Sequence, residues 1–379
     1  MILHGHRIRP RLPSSRQQRD YRTVWNSVQN LFARIAIVAS VILSAPAAAQ
    51  DLAAFDRHDA VILIYHRFGE PDLPSTNIRT EQFEAQLAAL AAGDYSVLPL
   101  ADIVRAFADG SALPEKAVAI TVDDAYRSFA DTAWPLLRKY GFPATLFVAT
   151  DPVDEGFSRY LDWETIRRLH REGVAIGHHG AAHLHLIDAG IDAARADIAR
   201  ASERFRAELG FVPDLFAYPY GEYSRDLAEL VHRMGFTAAM AQYSGVAAAG
   251  GDRFALPRFP LNEHYSTPAR FRLIVNARAL PVTDVLPSDT VLTPASNPPA
   301  YGFTLTTDIP GLRALACYPS HSGPAAITFL PGRRVEVRVD RPFPKGRGRI
   351  NCTLPGGDRR WFWLGRFFYV PKGEQADVD

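Results

Sequence analysis

Between Ala60 and Arg258, short and wholly apolar runs alternate with amphipathic stretches, and this alternation limits the folds open to the chain. Val61 to Tyr65, Ala117 to Val122, Ala144 to Val148, Val174 to Ile176, Leu215 to Tyr218 and Phe236 to Met240 read as buried strands. Thr80–Ala92 reads as a helix with Thr80 as its cap, and helical residues follow Val122 as far as Tyr140. Trp163–Arg171, Ile191–Leu209 and Ser224–Met234 complete the helical set. A strand apolar on both faces must be covered on both, so the pattern indicates a parallel sheet wrapped by helices, open or closed into a barrel.

Near Pro281 the texture changes to proline, threonine and serine. Beyond it come β-type runs at Gly302–Thr306, Ala326–Leu330, Val335–Val339 and Trp361–Val370, separated by turn signals such as Pro331-Gly332. The expected organisation is therefore an α/β domain, open sheet or barrel, over residues 58–280 and a linker with a small C-terminal β-rich module over 281–379. The aromatics of Trp361–Tyr369 read first as packing residues, with a glycan-contacting face as the alternative.

Charge is unevenly spread. Residues 1–50 hold seven arginines against one acid, Asp20, a surplus of six. The whole chain carries +1, so the remainder carries −5 and offers no broad basic surface for nucleic acid. The basic stretch leads into an apolar run, Ile35 to Leu43, and then into Ser44-Ala45-Pro46-Ala47-Ala48-Ala49-Gln50. That order is the signature of a secretory signal peptide, expected over residues 1–49 and cut after Ala49. The chain is thus expected to be exported to the periplasm or beyond, meeting a membrane only if this segment stays uncut. Cys317 and Cys352 would then be free to pair, although spacing alone leaves the bridge open.

Unusual polar residues follow the strand readings. His66 comes after Tyr65, Asp123-Asp124 after Val122, His178-His179 with His183 and His185 after Ile176, and Pro219-Tyr220-Gly221 after Tyr218. Parallel α/β folds bind ligands at the C-terminal ends of their strands, so these residues are candidates for one site. Adjacent carboxylates repel unless a proton or cation lies between them, though a helix N-terminus would also suit them. His179 and His183 share a face if their segment is helical, and His178 with His183 is the alternative pair if it is a loop. Two imidazoles and a carboxylate make a facial ligand set with open positions.

Together these segments resemble the polysaccharide deacetylase (NodB-homology) family. Thr121-Val122-Asp123-Asp124-Ala125 is similar to its T-F-D-D-G motif and His179-Gly180-Ala181-Ala182-His183 to its H-[ST]-x-x-H motif. Phe216-Ala217-Tyr218-Pro219-Tyr220-Gly221 is similar to its proline-aromatic-glycine loop, and the likeness spans about residues 58–265. The resemblance implies a distorted (β/α) barrel and removal of acetyl groups from an acetylated polysaccharide with a divalent metal, zinc. By position Asp123 would be the general base, and Asp124, His179 and His183 the metal ligands. The backbone N–H of Tyr220 would stabilise the tetrahedral oxyanion.

The departures are specific. Ala125 stands for a glycine, Gly180 for Ser or Thr, and Ala217 for an arginine. Arg258 either orients Asp123 in that arginine's place or is an ordinary ion-paired arginine. The family's late Leu-x-His acid is not evident, leaving His264 and His66 as candidates. Tyr126, Trp163 and Tyr218 could stack on sugar rings. Two other functions compete: a non-catalytic glycan-binding protein on a degenerate barrel, and a hydrolase of another carbon–nitrogen bond.

Overall fold

The computed structural model describes residues 57–372; the expected signal peptide and the polar tail from 373 lie outside the described residues. Six strands run side by side, each parallel to the next: β1 (Asp59–Tyr65), β2 (Ala117–Val122), β3 (Thr145–Val148), β4 (Ala175–His178), β5 (Leu215–Ala217) and β6 (Ala238–Met240). All seven residues of β1 and all six of β2 are buried, as their unbroken apolar runs require. β7 (Ala247–Ala248) pairs antiparallel with the start of β1.

The ring is completed by the segment Leu256–Pro260. Leu256 bridges Met240 of β6, and three residues on, β8 (Phe259–Pro260) lies parallel to β1. This curled sheet is the distorted (β/α) barrel that the family resemblance implies, and it decides between the open sheet and the barrel that the sequence pattern left open.

Nine helices cover the described barrel: α1 (Thr80–Ala92), α2 (Leu100–Asp109), α3 (Trp134–Tyr140), α4 (Thr150–Asp154), α5 (Trp163–Arg171), α6 (Leu186–Ala189), α7 (Ile191–Leu209), α8 (Arg225–Arg233) and α9 (Pro268–Val275). Local chemistry sets their ends. Asp162 caps α5 by accepting from the Thr165 N–H, and Ser224 caps α8 by accepting from Leu227. Thr80, expected as a cap, is instead the first helical residue of α1; the Arg79 N–H is satisfied by Gln82 Oε1. The helical reading after Val122 also needs correction. A turn and one π-helical stretch, Phe129–Ala133, precede α3.

The C-terminal region is two four-stranded sheets. One runs β9 (Arg278–Ala279), β16 (Trp361–Val370), β15 (Gly346–Pro355), β12 (Ala316–Pro319). The other runs β10 (Val282–Leu286), β11 (Ala300–Leu305), β14 (Arg334–Arg338), β13 (Ala326–Leu330). They share one core, with Phe303, Val335 and Val337 meeting Ile350, Cys352 and Phe368. Cys317 and Cys352 face each other across β12 and β15 and form a disulfide.

This β-rich region packs directly on the barrel. Trp363 sets its edge against Phe259 with centroids 5.1 Å apart, and Phe367 stacks on Tyr223 at 5.4 Å. At Gly365 the strand comes so near the Ser244 carbonyl that a Cβ would sit 1.9 Å from its oxygen, so only glycine fits. The aromatics of β16 are thus used in packing.

Candidate active site

Because β1 to β6 are parallel, their C-terminal ends lie on one face, and the polar residues that follow them converge there. His179 Nε2 and His183 Nε2 lie 3.3 and 3.1 Å from Asp124 Oδ1. One ligand atom from each of the three residues falls within 4.8 Å of the others. The His179 Nδ1–H donates to the Ala217 carbonyl at 2.7 Å, which turns the Nε2 lone pair toward the cluster. Asp124 Oδ1 is buried, yet no donor is aligned on it. A buried carboxylate oxygen without a donor, ringed by two imidazole nitrogens, is what a divalent cation would satisfy. Asp124, His179 and His183 therefore fit a metal ion.

Asp123 is held separately. Arg258 is fully buried and grips it with both arms, Nη1 to Oδ1 at 2.7 Å and Nη2 to Oδ2 at 2.8 Å. The Arg258 Nε–H donates to the Ala241 carbonyl, so the guanidinium is fixed at both ends. Of the two readings open for Arg258, it is the one that orients Asp123, from the very segment that closes the barrel. Burial alone would raise the pKa of Asp123, but Arg258 and then His179 outweigh it and hold the acid below the usual carboxylate range. Burial likewise opposes ionisation of Asp124, and the two imidazoles override it strongly. His179 is raised despite burial, because Asp123 and Asp124 favour its charged form.

The ligand loop is not helical. Residues 179–185 are irregular, with a bend at 181–182, Gly180 at φ 73° and His183 at φ 53°. Two carboxylate–amide bonds hold the loop: Asp197, buried on α7, accepts from the Ala181 and Ala182 N–H groups at 2.8 and 2.9 Å. A Cβ at Gly180 would sit 2.7 Å from Asp197 Oδ2. The departure from Ser or Thr is thereby explained, since Asp197 occupies the space of that side chain and supplies the acceptor. Asp197 was missed in the sequence; an aspartate inside an amphipathic helix reads as a solvated one.

His178 is a correction. It is the last residue of β4, and side chains alternate across a strand, so it points away from the His179 side. It is fully buried among Phe205, Phe216 and Phe236. Its Nδ1 accepts from the Gly180 N–H, and burial pushes its pKa down to about 3. His264 is a second correction. It is exposed on the turn made by Asn262 and contacts no member of the cluster among the described residues. His66 stays beside the site, half-buried, within the fields of Asp124 and Asp123, and burial lowers its pKa.

Backbone strain gathers here. Eight described non-glycine residues have positive φ, and four of them are Asp124, Ala125, His183 and Tyr220. Such conformations cost about 1–3 kcal/mol each and persist where the surroundings impose them. Ala125 at φ 58° shows why glycine would suit that position. Tyr220 packs against the rings of His183 (4.5 Å) and His185 (3.7 Å, stacked with planes almost parallel). Tyr126 lies under the Arg67 guanidinium and beside Tyr160. Trp163 and Tyr218 are buried and bonded to Asp154 and the Phe254 carbonyl, so neither is presented for stacking on sugars.

Residues 110–239, which contain this whole cluster except Arg258, match the family described as Polysaccharide deacetylase. Over that segment the chain is similar to the polysaccharide deacetylase family. That similarity supports a hydrolase that acts on carbon–nitrogen bonds. It is 25% identical over 197 residues to the Bacillus subtilis protein YxkH, whose name assigns it to the same family; the match covers 52% of this chain and 69% of that one. It is 24% identical over 214 residues to a poly-beta-1,6-N-acetyl-D-glucosamine N-deacetylase of Escherichia coli, covering 46% of this chain and only 32% of that longer relative. Among solved structures, a Streptococcus pyogenes deacetylase, PplD, in complex with acetate superposes with a TM-score of 0.54 at 22% identity. That match covers 58% of this chain and 99% of the other, and shows a shared fold.

Proposed function

We propose that this chain is an exported deacetylase that hydrolyses N-acetyl groups on a poly-N-acetylglucosamine type of glycan, with zinc as its metal. The observation that carries the reading is the pairing of a cation-shaped cluster, Asp124, His179 and His183, with an independently held carboxylate, Asp123, at one strand-end face. The names of the Escherichia coli and Staphylococcus epidermidis relatives motivate the glycan. A divalent cation on the three ligands would supply a Lewis acid for the acetamide carbonyl and make nearby water more acidic.

The protein's own groups do the rest. Asp123 is ionised, and its Oδ2 lies 4.0 Å from His179 Nε2, on the cluster side, placed to accept a proton from the attacking water. The bidentate hold of Arg258 makes it a weak base but an accurately aimed one. Burial lowers the pKa of His66, and we assign to Asp123, once protonated by the attacking water, the return of that proton to the departing nitrogen. The Tyr220 N–H, in its left-handed turn, is the donor we assign to the oxyanion. Tyr160, half-buried beside the covered ring of Tyr126, is the aromatic we assign to offer a ring face to a sugar.

Export is supported by the order of basic, apolar and small residues before Gln50, and by the Cys317–Cys352 bridge, which suits an oxidising compartment. Acetate release from N-acetylglucosamine oligomers, measured beside Asp123→Asn and His183→Ala, tests the reading. Turnover lost in both folded variants supports it. A cation-loaded wild type that binds the oligomer and releases no acetate would make the chain a glycan-binding protein instead.

A further inference from the structure

The C-terminal β-rich region reaches the site loops. Arg347 of β15 and Tyr369 of β16 are direct partners in the antiparallel register, so their side chains share a face. Each grips a different loop. Arg347 Nη1 donates to the Tyr220 carbonyl at 3.1 Å, and its Nε lies 3.6 Å from Glu222 Oε1. The Tyr369 hydroxyl donates to the Asp188 carboxylate on α6, just beyond His183 and His185. Glu222 is buried, and its other oxygen pairs with His185 Nδ1 at 2.7 Å. His185 in turn lies flat on the Tyr220 ring. One cross-strand pair thus ties the Tyr220 loop to the segment that follows the metal-ligand loop.

We infer that Arg347 is a positioning residue for Tyr220, and that the C-terminal region is part of the catalytic apparatus. This rests on the deacetylase reading for its kinetic consequences. The physical reason is the strain at Tyr220. A non-glycine residue at φ 59° relaxes unless something outside the loop holds it, and Arg347 fixes the carbonyl that sets the ψ side of that residue. Its half-exposed guanidinium also lies beside Glu222, a looser contact than the His185–Glu222 pair and of small weight for stability. A donor displaced by an ångström loses most of its worth to a developing oxyanion, while ground-state sugar contacts change little.

The test uses the full chain loaded with zinc. Arg347→Ala is expected to lower kcat about 10- to 100-fold while KM moves less than about threefold, with bound zinc and melting temperature near wild type. Arg347→Lys, which keeps a charge and a single donor, should recover part of kcat. Wild-type kcat in Arg347→Ala would overturn the inference. So would a change confined to KM, or a loss accounted for by unfolded or zinc-free protein. Hydrogen exchange at Gly221 and Glu222 gives a readout without turnover: faster exchange in Arg347→Ala supports the clamp, unchanged exchange overturns it. If the wild type releases no acetate, the deacetylase reading falls while the exchange result still decides the role of Arg347.

Discussion

Arg258 and Asp123 are 135 residues apart in the chain and meet in a two-armed ion pair with almost no exposure to solvent. Taking a guanidinium and a carboxylate out of water is costly, and the geometry repays it only while both partners are present. Arg258→Met should therefore destabilise the fold by about 3–5 kcal/mol, read from urea denaturation. Adding Asp123→Asn to that variant should restore part of the loss. Equal and additive costs for the two single changes would refute the coupling.

Cation binding should stabilise the protein as well as activate it. At a free zinc concentration 100 times the dissociation constant, the gain is about 2.7 kcal/mol, visible as a raised melting temperature. Chelation should reverse the shift and abolish acetate release. In Asp124→Asn and His183→Ala the shift should vanish, because each removes one of the three converging ligands. A full thermal shift in either variant would place the ion elsewhere.

Asp197 bonds two loop amides and also accepts from Arg200. Its replacement by alanine should cost about 2–4 kcal/mol, since two N–H groups lose their acceptor. It should also weaken zinc binding roughly 10- to 100-fold, as loss of outer support usually does. Isothermal titration with zinc measures this; wild-type affinity in a folded Asp197→Ala would assign the residue to stability alone.

His178 gives a pH dependence with a definite sign. Its pKa in the folded state is near 3, against about 6.5 unfolded, so below 6.5 the unfolded chain takes up a proton that the folded chain refuses. Stability from this group is present above about pH 6.5 and is lost as pH falls toward 3, by up to about 1.4 kcal/mol per unit. His178→Asn keeps an acceptor near the Gly180 N–H and does not titrate. The stability gap between wild type and this variant should shrink on acidification from pH 7 to 5; a constant gap would mean that His178 is not the group responsible.

The strands β1 and β2 were legible because burial on both faces leaves an unbroken apolar run, and Asp123-Asp124 stood out because charge follows such a run directly. The choice between His178 and His179 was not legible. It depends on which face of β4 each residue takes, and a four-residue strand with a glycine carries no alternation to read. The partner of Asp123 was equally hidden, because ring closure rather than sequence distance brings residue 258 back. β15 went unread because two of its inward positions are Gly346 and Gly348. Gly348 makes room for the Phe343 ring, whose nearest atom would lie 2.4 Å from an added Cβ.

Ring closure by Leu256–Pro260 sets a limit on how the protein can be cut or synthesised. A fragment ending at residue 239 would have the paired aspartates and both ligand histidines, yet would expose the far edge of β6 and leave Asp123 without its counter-ion. During synthesis the catalytic face stays incomplete until the chain has grown past Arg258. The shortest truncation that keeps the ring closed must therefore run from the start of β1 through Pro260, and one that also keeps the Arg347–Tyr369 pair must run past Tyr369.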